Sequence, residues 1–217
     1  MHRFVNGPRM SHRMNMVEFS RRRTARPSGP AELMQHALQL TAGNTNENYL
    51  KWPYGKLWPN STTVAVYKCP ADQSTAVILN YTYERVRSYA LNRNANRPDD
   101  WEWAPNAEFV TFTRVSRISN PAQIFTFIDQ REDSIDDWSF GVDMKDTGAA
   151  AELVDIPANR HNNACGICFA DGHAEIHKWR DVRTTFPVGR AHLMDNISSP
   201  NNIDVLWLQQ HCTVPAN

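Results

Sequence analysis

The chain has 217 residues and a mass of 24.8 kDa, the size of one domain with extensions or of two small domains. Lysine and arginine total 23, as do aspartate and glutamate, so the formal charge of zero gives no electrostatic reason to bind nucleic acid or an anionic membrane. With 41% hydrophobic residues and no apolar run near the roughly 18 residues of a membrane helix, the composition predicts a globular, loop-rich chain.

The charge is unevenly distributed along the chain. Residues 1–34 carry seven arginines against Glu18 and Glu32, a net charge of +5, which leaves −5 for the remainder. Residues 1–30 also lack a hydrophobic period, so we expect a basic disordered tail, a targeting remnant or a mis-assigned start. Residues 31–217 are expected to form the folded domain.

The first predicted elements after the tail are a helix and a strand. Residues 31–42 show helical spacing of apolar side chains, with proline in the first turn and Gly43 at the end. The β-branched run over residues 63–67 predicts a strand that ends at the Cys69-Pro70 turn. Further short strands are predicted in three places, at residues 86–91, 109–112 and 123–128.

The last predicted elements are a hairpin and a helix. Asp171-Gly172 separates two β-type runs and predicts a two-residue hairpin turn, because both of its residues accept positive φ. Ser199-Pro200 predicts the start of a helix through about residue 210, with three apolar residues on one face: Ile203, Leu206 and Trp207. The elements together predict an α+β fold with a small antiparallel sheet, flanking short helices and long loops.

The predicted hairpin offers a candidate zinc site. Pairing across Asp171-Gly172 places Cys168 opposite Glu175, and one face then carries four zinc-ligand types: Cys168, His173, Glu175 and His177. Neighbours on one face of a strand lie about 7 Å apart, which makes tetrahedral closure difficult. This face is the basis of an alternative function, that of a metal-binding module or a metal-dependent enzyme. The other interpretation is a solvated polar face.

The segment after the strand at residues 123–128 is rich in carboxylates. Five of them fall within nine residues: Asp129, Glu132, Asp133, Asp136 and Asp137. Calcium takes six to eight oxygen ligands, so these residues are a candidate calcium site, although they lack the spacing of an EF-hand loop. The alternative is an exposed acidic loop that pairs with Arg131 or Arg160.

Standard catalytic motifs for a nucleophile, a phosphate loop or a zinc peptidase do not occur in the sequence, so we predict that the chain is not an enzyme. A weaker alternative is a secreted carbohydrate-binding module, indicated only by four tryptophans: Trp52, Trp58, Trp101 and Trp103. Cys69 and Cys212 could form a disulfide in an oxidising compartment, but four cysteines leave three pairings open.

Several motifs occur in the order found in one bacterial family. His161 is followed after nine residues by Asp171-Gly172 and His173, the spacing of the H-X9-DG prepilin-type proteins, which are relatives of type II secretion pseudopilins. Other segments resemble the family's Cys-Pro-Ala-Asp, Ser-Tyr-x-x-Asn, acidic-loop and signature blocks, at residues 67–72, 87–92, 128–140, 157–161 and 169–179. The resemblance covers roughly residues 43–212.

This resemblance implies a non-enzymatic, pilin-like head that packs with other pseudopilin or secretion-system subunits in a periplasmic or cell-surface filament. In the family, a processed hydrophobic helix precedes the head and anchors it in the inner membrane. Residues 1–34 do not contain such a helix, so membrane attachment is expected only if one precedes the head. Related major pseudopilins hold calcium in the head, which agrees in kind with the acidic segment. The motif residues His161, Asp171 and Gly172 are expected to act structurally, with His161 bonded back to the loop or turn.

Overall fold

The molecule is described from a computed structural model, over residues 44–78, 80–95, 104, 107–188 and 196–216. The predicted helix at residues 31–42 and the basic segment 1–30 lie outside these ranges. The helices and strands are α1 Trp58–Ser61, β1 Thr75–Ile78, β2 Tyr81–Glu84, β3 Tyr89–Asn92, β4 Phe125–Asp129, β5 Ser139–Phe140, β6 Glu152–Leu153, β7 Ala164–Phe169, β8 Ala174–Lys178, β9 Ile197–Ser198 and α2 Ile203–Cys212.

A five-stranded sheet is the centre of the fold, and its strand order is β5-β3-β4-β7-β8. Its pairs are antiparallel except for β3 with β5, which run parallel. Two separate pairs, β1 with β2 and β6 with β9, are each antiparallel. The fold is therefore α+β, as the sequence predicts.

The main core lies between the central sheet and α2. Phe125 and Ile128 of β4 and Ile167 of β7 are buried in one cluster with Val205 and Leu208 of α2. The predicted helix is confirmed, but of its predicted apolar face only Trp207 packs against the core. Ile203 and Leu206 are each 51% exposed, because the face of the helix that is buried against the sheet consists of Val205, Leu208 and Cys212.

The N-cap of α2 also differs from the prediction. Asn202, rather than Ser199, begins the helix, and its side chain accepts hydrogen bonds from the backbone N–H groups of Asp204 and Val205. Ser199 belongs to the turn before the helix, since its carbonyl accepts a hydrogen bond from Asn202 N at 3.2 Å. An asparagine cap satisfies two of the four N–H groups that a helix start leaves without partners.

Two predicted strands are replaced by other structure. The run Val64–Tyr67 is a 3-10 helix, capped by the Thr63 hydroxyl, which accepts a hydrogen bond from Ala65 N. Its β-branched side chains favour a strand, but a local cap and the turn at Cys69 prevail. Phe109 and Phe112 form only isolated bridges, to Pro215 and Ala95.

The β7–β8 hairpin is confirmed, with a longer turn than predicted. Phe169 N donates to His173 O at 2.9 Å and Gly172 N donates to Phe169 O at 3.0 Å, so three residues separate the paired positions. Gly172 has φ +94°, in the region that favours glycine. This geometry is that of a type I turn followed by a glycine bulge, and it shifts the predicted register by one residue.

Candidate functional site: a buried thiol, imidazole and carboxylate

The Cys-Pro-Ala-Asp segment forms a tight turn that presents Cys69. Asp72 N donates to Cys69 O at 2.9 Å, and Asp72 Oδ1 in turn accepts from Ser74 N at 2.8 Å. Cys69 N donates to the Ser88 hydroxyl at 2.9 Å, which ties this turn to the start of β3. The side chain of Cys69 is buried as a result, at 2% exposure.

Asp129 is the last residue of β4 and is completely buried. The backbone around it joins three segments: Asp129 O accepts from Ala158 N at 2.8 Å, and the next residue, Gln130, donates its N–H to Ser88 O at 2.8 Å. The carboxylate therefore lies where the turn at Cys69, the end of β4 and the segment before β7 meet.

His161 lies in the tight turn that leads into β7. Asn162 and Asn163 both have positive φ, at 56° and 60°, which asparagine tolerates better than most residues. His161 N donates to Ala164 O at 3.1 Å, and Asn163 O accepts from Trp179 N at 2.9 Å, so both strands of the hairpin hold this turn. The backbone of His161 thus bonds within the turn, while its ring lies against Cys69.

The three side chains converge on one point. His161 Nε2 lies 3.2 Å from Cys69 Sγ. One ligand atom each from Cys69, Asp129 and His161 lies within 4.8 Å of the other two. We call these three residues the thiol cluster. Among the described residues this is the one group of three or more histidine, cysteine or acidic side chains close enough to share a metal ion.

Arg160 neutralises part of the charge beside the thiol cluster. Its guanidinium donates to Asp129 Oδ1 and to Glu132 Oε2, each at 2.8 Å, and lies 3.7 Å from Asp72 Oδ2. Burial alone would lower the pKa of Arg160, but the attraction of these three carboxylates outweighs it and the pKa is raised. Arg160 thereby links the Cys-Pro-Ala-Asp turn, the acidic segment and the signature block.

The environment of Cys69 favours the neutral thiol. Burial raises the pKa of Cys69; the backbone N–H of Ala71 opposes this, the adjacent carboxylate of Asp129 raises the pKa further, and Arg160 lowers it slightly, so that the pKa is raised overall. Burial also raises the pKa of Asp129, although Arg160 and hydrogen-bonding groups at Ser88 and Cys69 oppose it. Since a thiolate is the reactive form of cysteine, the pair with His161 is poorly arranged for nucleophilic attack.

The five carboxylates of the candidate calcium site point to different partners. Asp129 and Glu132 pair with Arg160, and Asp133 accepts two hydrogen bonds from Arg131, at 2.6 and 3.0 Å. Asp137 pairs with Arg93, and Asp136 accepts from the backbone N–H of Asp137. The segment forms ion pairs with Arg131 and Arg160, as in the alternative interpretation, but it is largely buried rather than exposed.

The proposed zinc face of the hairpin is not formed, because its predicted register is wrong. Cys168 pairs with Ala174, and Cys165 pairs with His177. Residues paired across strands share a face of the sheet, and consecutive residues of one strand lie on opposite faces. Cys168 therefore lies on the opposite face from Glu175 and His177.

The two hairpin histidines have other partners in the structure. His173 stacks on Phe169 with ring centroids 4.4 Å apart and contacts Asp171 Oδ1 at 2.6 Å, whereas His177 stacks on Trp207 of α2 at 3.8 Å. Asp171 thus stabilises the hairpin turn itself. Along β8, residues 175–180 line a shallow open groove of about 620 Å³ that includes no member of the thiol cluster.

The remaining predictions about side chains have mixed outcomes. All four cysteines are free thiols; Cys69 contacts His161, and Cys212 donates to Asn92. Trp52 is 62% exposed, whereas Trp101 and Trp103 lie outside the described residues. A carbohydrate-binding role stays a prediction.

The sequence does not predict the thiol cluster, although each of its three residues lies in one of the motif segments. The three side chains are 92 positions apart at their extremes, and no spacing rule relates them. The signal in the sequence is the order of the motif segments, which places a cysteine, an acidic residue and a histidine each within a motif block.

No family model, curated protein or solved structure matches this chain. Among the described residues, no helix is long and apolar enough to cross a membrane. Any functional conclusion therefore depends on the residues and their geometry.

Proposed function

We propose that this chain is a non-enzymatic, pseudopilin-like head that acts by packing against other subunits of a type II secretion or pilus-like system. The proposal rests on the uneven distribution of exposed large apolar side chains along the sequence. Of thirteen such side chains in the described ranges, eight fall between residues 49 and 83: Tyr49, Trp52, Tyr54, Leu57, Val66, Val77, Tyr81 and Tyr83. We call these eight the apolar segment.

The composition of the apolar segment is that of a protein interface. Four of its members are tyrosines and one is a tryptophan, and aromatic side chains are enriched where proteins bind one another. Strands β1 and β2 carry three of these side chains on a two-stranded ribbon outside the central sheet, where a neighbouring subunit can reach them.

The motif segments support a structural rather than a catalytic role. Cys69, Asp72, Ser88 and Asp129 are each at most 2% exposed. These residues hold loops together through hydrogen bonds and ion pairs instead of lining an open cleft. We place the head in the periplasm or at the cell surface on the strength of the family resemblance, with inner-membrane attachment through a preceding helix where one exists.

Site-specific photo-crosslinking in the producing bacterium tests this proposal. A photoreactive amino acid replaces Tyr81, which is 69% exposed in the apolar segment, and separately Val182, which is 78% exposed and lies outside it. We expect Tyr81 to form adducts with proteins that carry a pilin-like hydrophobic N-terminal helix, identified by mass spectrometry. The Val182 position is the control for general exposure.

Three results would contradict the proposed function. The first is equal crosslinking from both positions, which would mean that exposure alone determines the adducts. The second is a Tyr81 adduct only with partners unrelated to pilins or secretion subunits. A Tyr81 position that crosslinks to nothing at native expression levels would also count against subunit packing through this segment.

A further inference from the structure

The thiol cluster combines three chemically different metal ligands from three separate segments. The turn at Cys69, the end of β4 and the turn before β7 each supply one, and the structure holds all three atoms within 4.8 Å of one another. In tetrahedral zinc sites the bonds are about 2.0–2.3 Å, which places adjacent ligand atoms about 3.3–3.8 Å apart. The 3.2 Å between Cys69 Sγ and His161 Nε2 is close to this range, so little movement is needed.

Asp129 has a second oxygen that is available for a metal. Its Oδ1 accepts from Arg160, whereas Oδ2 is buried and accepts no hydrogen bond of good geometry. Asp129 is fully buried, and among the described residues only the nearby Ser88 hydroxyl and Cys69 thiol act on its carboxylate besides Arg160, so Oδ2 is poorly satisfied, which is costly for a buried oxygen. A cation bound between Oδ2, the thiol and the imidazole would satisfy it.

The charges around the thiol cluster also favour a divalent cation. Three carboxylates belong to this region, those of Asp72, Asp129 and Glu132, against the two guanidinium groups of Arg85 and Arg160. The region therefore has a net charge of −1 with Cys69 neutral and −2 with Cys69 as a thiolate. One divalent ion balances the latter state.

We propose that Cys69 Sγ, Asp129 Oδ2 and His161 Nε2 bind one zinc ion, with water in the fourth position. On binding, the S–H bond of Cys69 breaks, its proton leaves to solvent, and the sulfur forms a bond to the metal in place of a water ligand. A thiolate and an imidazole select zinc over calcium or magnesium, which prefer oxygen ligands throughout. The ion would fasten three motif segments together, whatever the partners of the head.

Metal analysis and cobalt substitution of the full-length protein test this site. Protein purified without chelator is expected to contain one zinc per chain. After removal of zinc with a chelator, addition of Co²⁺ is expected to give a near-ultraviolet thiolate-to-cobalt charge-transfer band. It is also expected to give visible absorption bands as intense as those of tetrahedral cobalt. These spectra need no variant, so they remain informative if a variant fails to fold.

Matched variants assign the ligands. Cys69→Ser is expected to abolish the charge-transfer band and His161→Ala to weaken zinc binding by at least about tenfold, since loss of even an outer partner of a metal ligand has that effect. The controls are Cys168→Ser, on the opposite face of the hairpin, and His173→Ala, in the hairpin turn; both should bind zinc as the unaltered chain does. Circular dichroism confirms that each variant is folded.

Three outcomes would overturn the site. One is the absence of stoichiometric zinc together with a cobalt spectrum that lacks the charge-transfer band. Another is undiminished zinc binding by folded Cys69→Ser, and the third is loss of zinc in His173→Ala, which would place the ion on the hairpin. None of these results bears on the crosslinking from Tyr81, so the two proposals fail independently.

Discussion

At the scale of single residues, Arg160 holds together segments that are distant in sequence. Its side chain is only 10% exposed and contacts carboxylates from the Cys-Pro-Ala-Asp turn, the end of β4 and the acidic segment. Because these carboxylates are buried or partly buried, water cannot solvate their charges if the arginine is removed. Arg160 should therefore contribute more to the free energy of unfolding than an arginine whose ion pair is exposed at the surface.

Replacement of Arg160 tests this role. Arg160→Met leaves the Asp129 carboxylate buried without its cation, and we expect the free energy of unfolding to fall by about 3–5 kcal/mol, measured by urea denaturation. The matched control is Arg183→Met, because Arg183 pairs with Asp181 at the surface, where water screens the pair, and its loss should change the free energy of unfolding far less. A similar loss in both variants would contradict the special role of Arg160.

Tyr89 predicts a particular dependence of stability on pH. Burial, and then the neighbouring charges of Cys69 and Asp129, raise the pKa of Tyr89 from 10.0 to about 12. A raised pKa means that the contribution of Tyr89 to stability is complete below pH 10 and is lost as pH rises towards 12, since the unfolded chain loses its proton first.

The measurement compares the unaltered chain with Tyr89→Phe. Both lose stability in alkali because other groups titrate, but the decline between pH 10 and about 12 should be shallower in the variant. Urea denaturation over this range gives the two slopes. Parallel slopes would mean that Tyr89 titrates normally in the folded protein.

At the scale of elements, the β7–β8 hairpin shows how one turn residue decides which side chains share a face. The sequence predicts a hairpin at Asp171-Gly172 correctly, because glycine after aspartate is a strong turn signal. It does not distinguish a two-residue turn from a three-residue turn with a glycine bulge, and the observed turn is the latter. Since side chains alternate every residue, that one position moved Cys168 to the other face.

Two glycines of this hairpin give a matched pair of variants. A Cβ atom would meet no atom within 4 Å at Gly166 or at Gly172, but only Gly172 has positive φ. We expect Gly172→Val to lower the stability by about 1–2 kcal/mol and the melting temperature by several degrees, because a β-branched residue is strained there. Gly166→Val lies in a strand and should leave the melting temperature nearly unchanged; equal effects would argue against backbone strain.

Local signals explain which other elements the sequence predicts. The strand β4 and the helix α2 have an apolar pattern and a clear boundary residue, so their existence follows from sequence. Val64–Tyr67 has a strand-like composition, yet no strand in the described part of the chain pairs with it, and a 3-10 helix forms. Strands β1 and β2 were not predicted because seven of their eight residues are exposed or half-buried, so they lack an alternating pattern.

At the scale of the whole molecule, the apolar segment and the thiol cluster differ in how far the sequence predicts them. The members of the apolar segment all lie between residues 49 and 83, but composition alone does not show that their side chains are exposed. The thiol cluster depends entirely on tertiary structure, since strand order brings residues 69, 129 and 161 together. Motif order indicated that these blocks belong together and gave no hint of their contact.

Charging the apolar segment should separate folding from association. Val77 and Tyr81 are 66% and 69% exposed, so the double variant Val77→Lys, Tyr81→Lys should change the melting temperature little. It should also reduce concentration-dependent association, measured by sedimentation velocity. Ala76→Lys, at a buried position of the same ribbon, is the contrasting variant and should destabilise the protein strongly.

The long sequence separation of the buried contacts has a kinetic consequence. Asn92 donates to Cys212 O across 120 positions, and Cys69 reaches His161 across 92. Such a high contact order places the domain among slow folders, on the scale of milliseconds to seconds rather than microseconds. Because α2 at the end of the chain completes the core, the core side chains of the central sheet stay exposed until residue 212 is available, and they are the surface on which a chaperone would act.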